Sequence, residues 1–182
     1  VSVQYRPTDG GRFVAFLQDI TARRRAEEAL RESEHQYREL FESSSDALFL
    51  IATDTGQIIE ANSMATGIYG YDPDELLTKK STDMSAEPEE THTRIQETQT
   101  KPGQVFRIPL RLHRKKDGTV FPVEITARSL IQEGQAVLLV SSRDITERKR
   151  AESALLETNR QLEEATVRAE VASMAKSEFL AN

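Results

Sequence analysis

The amino-acid sequence predicts an α+β fold in which one five-stranded antiparallel sheet carries helices on one face and is flanked by long coiled-coil helices. Three observations lead to this prediction. Residues 46–143 hold the longest apolar runs and most of the turn residues, whereas charged residues concentrate in 22–40 and 147–182. The apolar patterns of the central stretch follow the order β-β-α-α-α-β-β-β. Such an order indicates strands paired through short turns and helices gathered on one face of a single sheet.

The N-terminal segment repeats a pattern that recurs at the end of the central stretch. Residues 19–30 read DITARRRAEEAL and residues 144–155 read DITERKRAESAL, and nine of the twelve positions are identical. Each copy follows a turn and an apolar run, at residues 9–17 and at residues 133–140. A repeat of this spacing indicates a duplicated domain rather than a solenoid. The sequence therefore predicts that residues 1–20 form a hairpin, the last two strands of a preceding domain.

The first half of the core predicts two strands and two helices. Residues 46–53 form an apolar run that ends at an Asp-Thr-Gly turn, and residues 57–60 form a second, shorter strand. Asn62 is a good N-cap for a helix over residues 62–68. Another helix is expected to begin at Asp72, where a capping residue is followed by proline at the first helical position and by a carboxylate.

The second half of the core predicts a helix over residues 87–100, ended by a Pro-Gly pair, and then three strands. In the first of these strands, apolar and polar residues alternate, so every second side chain is expected to face the core. The inward set is Phe106, Ile108, Leu110 and Leu112. The outward, exposed set includes Arg107, Arg111 and His113.

The two charged helices share an apolar seam with 4-3 spacing. The seam residues that we expect to meet a second copy of the chain are Leu30, Tyr37, Leu40, Ala151, Leu155, Leu162 and Ala169. This spacing is typical of a parallel coiled coil, although alanine at several seam positions buries little area. A long helix with a narrow apolar stripe needs a partner, so the sequence predicts a parallel homodimer.

Composition excludes several functions. The net charge of −6 argues against nucleic acid, which requires a clustered basic face. The chain has no cysteine, which excludes disulfides, thiolate metal sites and a cysteinyl flavin photoadduct. The longest apolar run, residues 47–52, is too short to cross a bilayer, so we expect no membrane insertion of this segment. No metal-ligating cluster, phosphate-binding loop or nucleophile with a partner base is evident, so we expect no catalytic residues.

Several motifs together resemble a PAS domain with its trailing PAC segment. They are Phe41 with Asp46-Ala47-Leu48, Ile59-Glu60-Ala61-Asn62, the stretch from Tyr69 to Leu77, the stretch from Arg114 to Glu124, and Arg143-Asp144-Ile145-Thr146-Glu147-Arg148. Residues 174–182 resemble the opening of the dimerisation and phosphoacceptor helix of a sensor histidine kinase.

The resemblance implies a domain organisation and a function. Residues 1–20 would end a preceding PAS domain, 21–40 would form a linker helix, 41–146 the PAS/PAC domain, and 147–182 a signalling helix that leads into a kinase dimerisation domain. The implied function is a cytoplasmic sensory and relay module of a bacterial multi-PAS histidine kinase in a two-component phosphorelay. The chain itself would carry no enzymatic step, and the downstream kinase core would read its state.

The resemblance also implies a ligand pocket inside the core. The candidate lining residues are Asn62, Met64, Tyr69, Ile95, Phe106, Ile108, Phe121 and Val123. His92 lies on the helix that supplies the iron ligand in haem-binding PAS domains, but its polar neighbours favour a surface histidine. The cofactor is left open, and a haem or other small-ligand sensor that uses His92 and a ligand-free dimerisation spacer remain alternatives.

A short segment at the end of the core is the candidate coupling joint. It consists of Asp144, Ile145, Thr146 and Glu147. Asp144 ends the last predicted strand, and Glu147 follows three residues later, a spacing typical of a capping box at a helix start. We expect this segment both to begin the long helix and to couple movements of the sheet to the coiled coil.

Overall fold

A computed structural model of the chain describes residues 2–7, 13–99, 103–132 and 134–181. The chain divides into two compact units, Val1–Ser45 and Asp46–Asn182. Strands β1 (Ser2–Pro7) and β2 (Phe13–Gln18) of the first unit pair antiparallel, as the hairpin prediction expects. The predicted turn between them lies outside the described residues.

The helix α1 (Thr21–Glu42) completes the first unit. The Asp19 carboxylate accepts a hydrogen bond of 2.9 Å from the Thr21 backbone N–H at its start. On its exposed surface, Arg23 and Glu27 pair one turn apart at 2.7 Å. Such pairs add only a few tenths of a kcal/mol each. The surface of α1 is solvated and charged, and a few large apolar side chains are exposed on it.

The second unit contains one five-stranded sheet and its helices. Its elements are β3 (Ala47–Ala52), β4 (Ile58–Ala61), α2 (Ser63–Tyr69), α3 (Pro73–Leu76), a 3₁₀ turn (Ser81–Met84), α4 (Pro88–Gln99), β5 (Val105–Arg114), β6 (Val120–Gln132), β7 (Gln135–Asp144) and α5 (Thr146–Ala181). The sheet order is β4-β3-β7-β6-β5, and every neighbouring pair is antiparallel. The predicted fold class is therefore confirmed. The 3₁₀ turn lacks a sequence prediction, and the predicted end of α4 at a Pro-Gly pair falls partly outside the described residues.

The buried Asn62 side chain, between β4 and α2, connects the start of α2 to the start of β3. Its Oδ1 accepts hydrogen bonds from the backbone N–H groups of Ala65 at 3.0 Å and Leu48 at 2.9 Å, and its Nδ2 donates to the Asp46 carbonyl at 3.0 Å. The helix then ends at Gly70, whose φ of 76° is a left-handed conformation that favours glycine. Both helix ends of α2 are thus set by single residues.

Strand β5 contains a bulge that reverses its inside-outside pattern. Ile108 pairs with Ile125 and Arg111 with Val123, so three steps along β5 match two steps along β6. One extra residue moves all later side chains to the opposite face of the sheet. Pro109, which has no backbone N–H to donate, lies within this bulge on an edge strand, where proline is tolerated.

The alternation predicted for β5 is therefore wrong beyond Ile108. Leu110 and Leu112 are predicted in the core but are exposed, whereas Arg111 and His113 are predicted outside but are buried. A strict two-residue period cannot predict an inserted residue. As a consequence, a guanidinium and an imidazole enter an otherwise apolar interior.

Candidate functional site

The inner face of the sheet lines a partly open cavity of about 80 Å³ beneath α4. Its walls are mostly apolar and come mainly from β3, α4, β5, β6 and β7, with Phe49, Ile51, Ile95, Phe106, Leu138 and Val140 among them. The volume is roughly half that of an engineered apolar cavity of about 150 Å³ that binds benzene. The cavity therefore has room for a small molecule or a few waters.

Four of the eight predicted pocket residues line this cavity. They are Tyr69, Ile95, Phe106 and Ile108. The two residues from β5 precede the bulge, where the predicted alternation holds. The period-two pattern is therefore informative up to the point at which the strand is irregular.

The other four predicted pocket residues lie outside the lining. Asn62 is buried, but its side chain makes the three hydrogen bonds to the backbone that are described above. Met64, on the outer surface of α2, is 36% exposed. Phe121 and Val123 are buried in the core, where the Phe121 ring packs edge-on against Tyr69 with centroids 5.4 Å apart. Sequence periodicity identifies such residues as interior but does not separate packed core from cavity wall.

One polar wall of the cavity is a hydrogen-bonded group of three side chains that the sequence does not predict. The Tyr69 hydroxyl lies 2.5 Å from Nδ1 of His113 and 2.9 Å from Oγ of Ser142. These residues come from α2, β5 and β7, and all three are buried and line the cavity. We call them the Tyr69–His113–Ser142 group. Proline in the middle of an apolar strand was the available signal that His113 would turn inward.

Burial sets the protonation states in this group. It lowers the pKa of His113 to about 4, with the nearby Arg111 charge acting in the same direction, so the imidazole is neutral at pH 7. It also raises the pKa of the Tyr69 hydroxyl above its ordinary value, against the hydrogen bond from Ser142. The polar wall is thus uncharged at physiological pH.

An ion pair between a buried arginine and more exposed carboxylates connects β5 to the beginning of α4 beside the cavity. The Arg111 guanidinium contacts the carboxylates of Glu90 and, at 3.4 Å, Glu87. Glu87 also accepts a hydrogen bond of 3.3 Å from the Leu112 backbone N–H. The charge of Arg111 is therefore neutralised by its own neighbours, and α4 is tied to the edge strand.

The structure places His92 on the exposed surface of α4, outside the lining of the apolar cavity. Its Nε2 lies 3.0 Å from the side-chain nitrogen of Gln96, one turn along the helix. An iron ligand requires an apolar pocket around it. The position of His92 does not fit the haem alternative.

The candidate joint connects the end of β7 to α5. The Asp144 carboxylate accepts a hydrogen bond of 2.8 Å from the Thr146 backbone N–H. This bond spans two residues, which is an Asx turn rather than the three-residue capping box predicted with Glu147. Ile145 is 2% exposed, and its backbone N–H donates to the Pro122 carbonyl at 3.1 Å, so the joint is anchored on β6.

Two ion pairs flank the joint. Arg148 in the first turn of α5 contacts Glu124 of β6 at 3.0 Å. Arg143 at the end of β7 makes two hydrogen bonds to Asp46, of 2.8 and 3.0 Å. The hydrogen bonding from Arg143 holds the pKa of the Asp46 carboxyl below its usual range.

The predicted seam residues are exposed in the single chain. Leu155 and Leu162 on α5 are 62% and 60% exposed, and Leu30, Tyr37 and Leu40 on α1 are also exposed, as are Ala151 and Ala169.

No helix among the described residues is both long and apolar enough to cross a membrane.

The fold combines a single antiparallel sheet with helices on one face, a small interior cavity, and a wall strand that continues into a long helix. Together these features define a sensory domain. The chain belongs to the PAS domain family, whose family model matches residues 45–147.

Two curated relatives and one solved structure illustrate this relationship. The methyl sulfide methyltransferase-associated sensor of Methanosarcina acetivorans is 33% identical over 130 residues, which are 71% of this chain and 13% of that protein. Sporulation kinase E of Bacillus subtilis is 30% identical over 148 residues, 81% of this chain and 19% of that protein. The PAS domain of an HTR-like protein from Haloarcula marismortui is 27% identical with a TM-score of 0.60, covering 67% of this chain and 99% of that domain. The chain thus spans less than a fifth of either curated relative.

Proposed function

We propose that this chain is the sensory and relay module of a cytoplasmic two-component sensor histidine kinase. In this proposal, a change in the PAS core passes through the 144–147 joint into α5, which pairs with α5 of a second copy in a parallel homodimer. The downstream kinase core, in the parent protein, responds to the altered pairing. The chain itself senses and transmits, and carries out no chemical step.

The observation that carries this proposal is the course of β7. This strand lines the cavity with Leu138, Val140 and Ser142, and two residues beyond Ser142 it reaches Asp144 and the joint. A displacement of β7 by a change in the cavity therefore acts directly on the first turn of α5. Because Ile145 and Arg148 also contact β6, the start of α5 is held by two neighbouring strands of the sheet.

The exposed seam of α5 supports the homodimer. A helix of 36 residues is about 54 Å long. Burying a leucine side chain stabilises a protein by about 1.5–3 kcal/mol, and Leu155 and Leu162 leave that gain to a partner helix. The seam also contains alanines, so competing registers of the pair would lie close in free energy, as a relay element requires.

The kinase context is supported by the relatives. One curated relative is named as a sensor and the other as a sporulation kinase. Both are much longer than the matched region, which is the arrangement expected when a PAS domain controls a separate output domain. A histidine kinase parent and its response regulator are accordingly part of the proposal.

The alternatives have weaker support. A haem sensor that uses His92 conflicts with the position of that residue, and an intense Soret absorption band in the purified protein would reinstate it. An interior filled by side chains would favour a ligand-free spacer, whereas this interior has a cavity with a polar wall.

Sedimentation equilibrium tests the homodimer on which the relay depends. We expect the chain to dimerise, and Leu155→Glu with Leu162→Glu to weaken the dimer at least tenfold, because two carboxylates would then enter the seam. Leu156→Glu is the matched control, since Leu156 is 70% exposed and lies off the seam. A monomer at high concentration, or equal effects of the control and seam variants, would refute the proposed pairing.

A further inference from the structure

We infer that the cavity binds a small uncharged molecule of about three to four non-hydrogen atoms that has a carbonyl or hydroxyl oxygen, and that Nε2–H of His113 donates a hydrogen bond to this oxygen. The inference rests on the proposed function, because it assigns the ligand class of the sensory cavity. Three properties of the cavity lead to it: its size, its charge balance and a free donor in the Tyr69–His113–Ser142 group.

The size of the cavity limits the ligand. Benzene, with six carbon atoms, occupies an engineered cavity of about 150 Å³. A cavity of about 80 Å³ accordingly holds about half as many non-hydrogen atoms. Larger ligands would extend through the open side of the cavity or require its walls to move apart.

The charge balance of the walls favours an uncharged ligand. Arg111 is the buried cation of the lining, and the carboxylates of Glu87 and Glu90 already neutralise it. Arg94 also reaches the lining, but its guanidinium pairs with Glu97 at 2.8 Å on the exposed side of α4. An anionic or cationic ligand would therefore lose its hydration without gaining a free counter-charge.

The hydrogen bonds of the Tyr69–His113–Ser142 group leave one donor for the ligand. A phenol is a better donor than a neutral imidazole N–H, and an imidazole nitrogen is a better acceptor than a hydroxyl, so Tyr69 donates to Nδ1 of His113. Ser142 then donates to the Tyr69 oxygen. The single proton of the neutral imidazole lies on Nε2, which has no hydrogen-bond partner among the described residues.

The free donor gives the ligand a direct connection to the relay. An oxygen that accepts from Nε2–H polarises the imidazole and strengthens its bond from Tyr69. Tyr69 in turn holds Ser142 on β7, the strand that leads to the joint. A ligand without an acceptor would fill the cavity but would leave this chain of bonds unchanged.

NMR titration of the 182-residue chain with three probes of nearly equal size tests the inference. Acetone supplies the acceptor, isobutane replaces the oxygen by a methyl group, and acetate adds a charge. We expect saturable binding of acetone with a millimolar dissociation constant, since a ligand of four non-hydrogen atoms binds no tighter than about 40 µM. We expect isobutane and acetate to bind at least tenfold more weakly. Acetone should shift the side-chain nitrogen resonances of His113 and leave those of His35 and His92 in place.

Variants locate the binding site. Ala127→Leu fills the cavity from β6 and should abolish acetone binding. His113→Phe removes the donor and should bring acetone to the affinity of isobutane, whereas His92→Phe, outside the apolar cavity, should leave binding unchanged. If His113→Phe fails to fold, the His113 resonance shift in the unmodified chain still decides.

Each contrary outcome overturns the inference. If isobutane bound as tightly as acetone, the ligand would not need an acceptor oxygen. If acetate bound as tightly as acetone, the ligand would not need to be uncharged. If no probe showed saturable binding, the cavity would not be a binding site. Because these titrations measure binding in the chain alone, such a failure is distinguishable from failure of the relay, which is measured on the paired helices.

Discussion

Removal of the Tyr69 hydroxyl is the most informative single perturbation of the polar wall. Tyr69→Phe keeps the aromatic ring, which packs edge-on against Phe49 and Phe121 with centroids 5.5 and 5.4 Å apart. The change therefore removes two hydrogen bonds and little else. Nδ1 of His113 and Oγ of Ser142, both in buried residues, then lose their partner.

The expected loss of stability follows from those two groups. A buried polar group left without a partner costs about 1–3 kcal/mol. Water entering the adjoining cavity can satisfy part of this demand, so we expect Tyr69→Phe to lower the free energy of unfolding by about 2–4 kcal/mol. Tyr71→Phe is the matched control, because the Tyr71 hydroxyl is outside the group, and its effect should stay within about 0.5 kcal/mol.

A double-mutant cycle measured by urea unfolding tests the interaction itself. His113→Phe removes the acceptor of the Tyr69 hydroxyl. In the double variant, neither partner of the 2.5 Å bond remains to be left unsatisfied, so the loss should be smaller than the sum of the single losses by about 1 kcal/mol or more. If the loss in the double variant equalled the sum of the two single losses, the bond would not exist. If Tyr69→Phe were as stable as the parent chain, the expected cost of leaving buried polar groups without a partner would be refuted.

Three further predictions concern other parts of the second unit. Asp144→Ala removes the Asx turn at the start of α5 and should cost about 1 kcal/mol, lowering the melting temperature by several degrees. In the proposed histidine kinase parent the same change should alter kinase output, and an unchanged response to stimulus would show that the joint is only the start of a helix. Because His113 has a pKa near 6.5 when unfolded and about 4 when folded, the unfolded state binds its proton first, so up to about 3 kcal/mol of stability present above pH 6.5 should be lost as the pH falls to 4. Thermal unfolding of His113→Phe over this range should show a smaller loss, and an equal loss would contradict the assignment. Asn62→Ala removes three side-chain hydrogen bonds to the backbone, and because the Ala65 N–H keeps its bond to the Asn62 carbonyl, the change should cost about 2 kcal/mol or more in urea unfolding, whereas a loss below about 1 kcal/mol would show that water replaces the amide.

The sheet and its helices could be predicted because local signals agree with one another. The cap at Asn62 and the alternation along Phe121, Val123 and Ile125 each indicate the same fold as the order of elements. These signals each involve only a few neighbouring residues, so they can be recognised in a single sequence.

The polar wall of the cavity could not be predicted because it depends on an insertion. The bulge in β5 moves Arg111 and His113 inward, and although Pro109 signals an irregular strand, the pairing with β6 is needed to place the extra residue. The contact between Tyr69 and Ser142 joins positions 73 residues apart, which no local pattern encodes. Likewise, Phe121 and Phe106 have the same pattern, yet one packs against Tyr69 and the other lines the cavity.

If a relay runs from the cavity to α5, a change in the cavity must alter the pairing of the two α5 helices in the proposed dimer, and a distance measurement across that pair detects the change. The chain has no cysteine, so Asn159→Cys on the exposed surface of α5 accepts a single spin label per copy. Pulsed electron spin resonance then reports the distance between the two labels of a dimer. Ala127→Leu perturbs the cavity, and Arg128→Leu places the same side chain on the opposite face of β6 as a control. We expect Ala127→Leu to shift the distance distribution and Arg128→Leu to leave it unchanged; identical distributions for both variants and the parent chain would refute the relay.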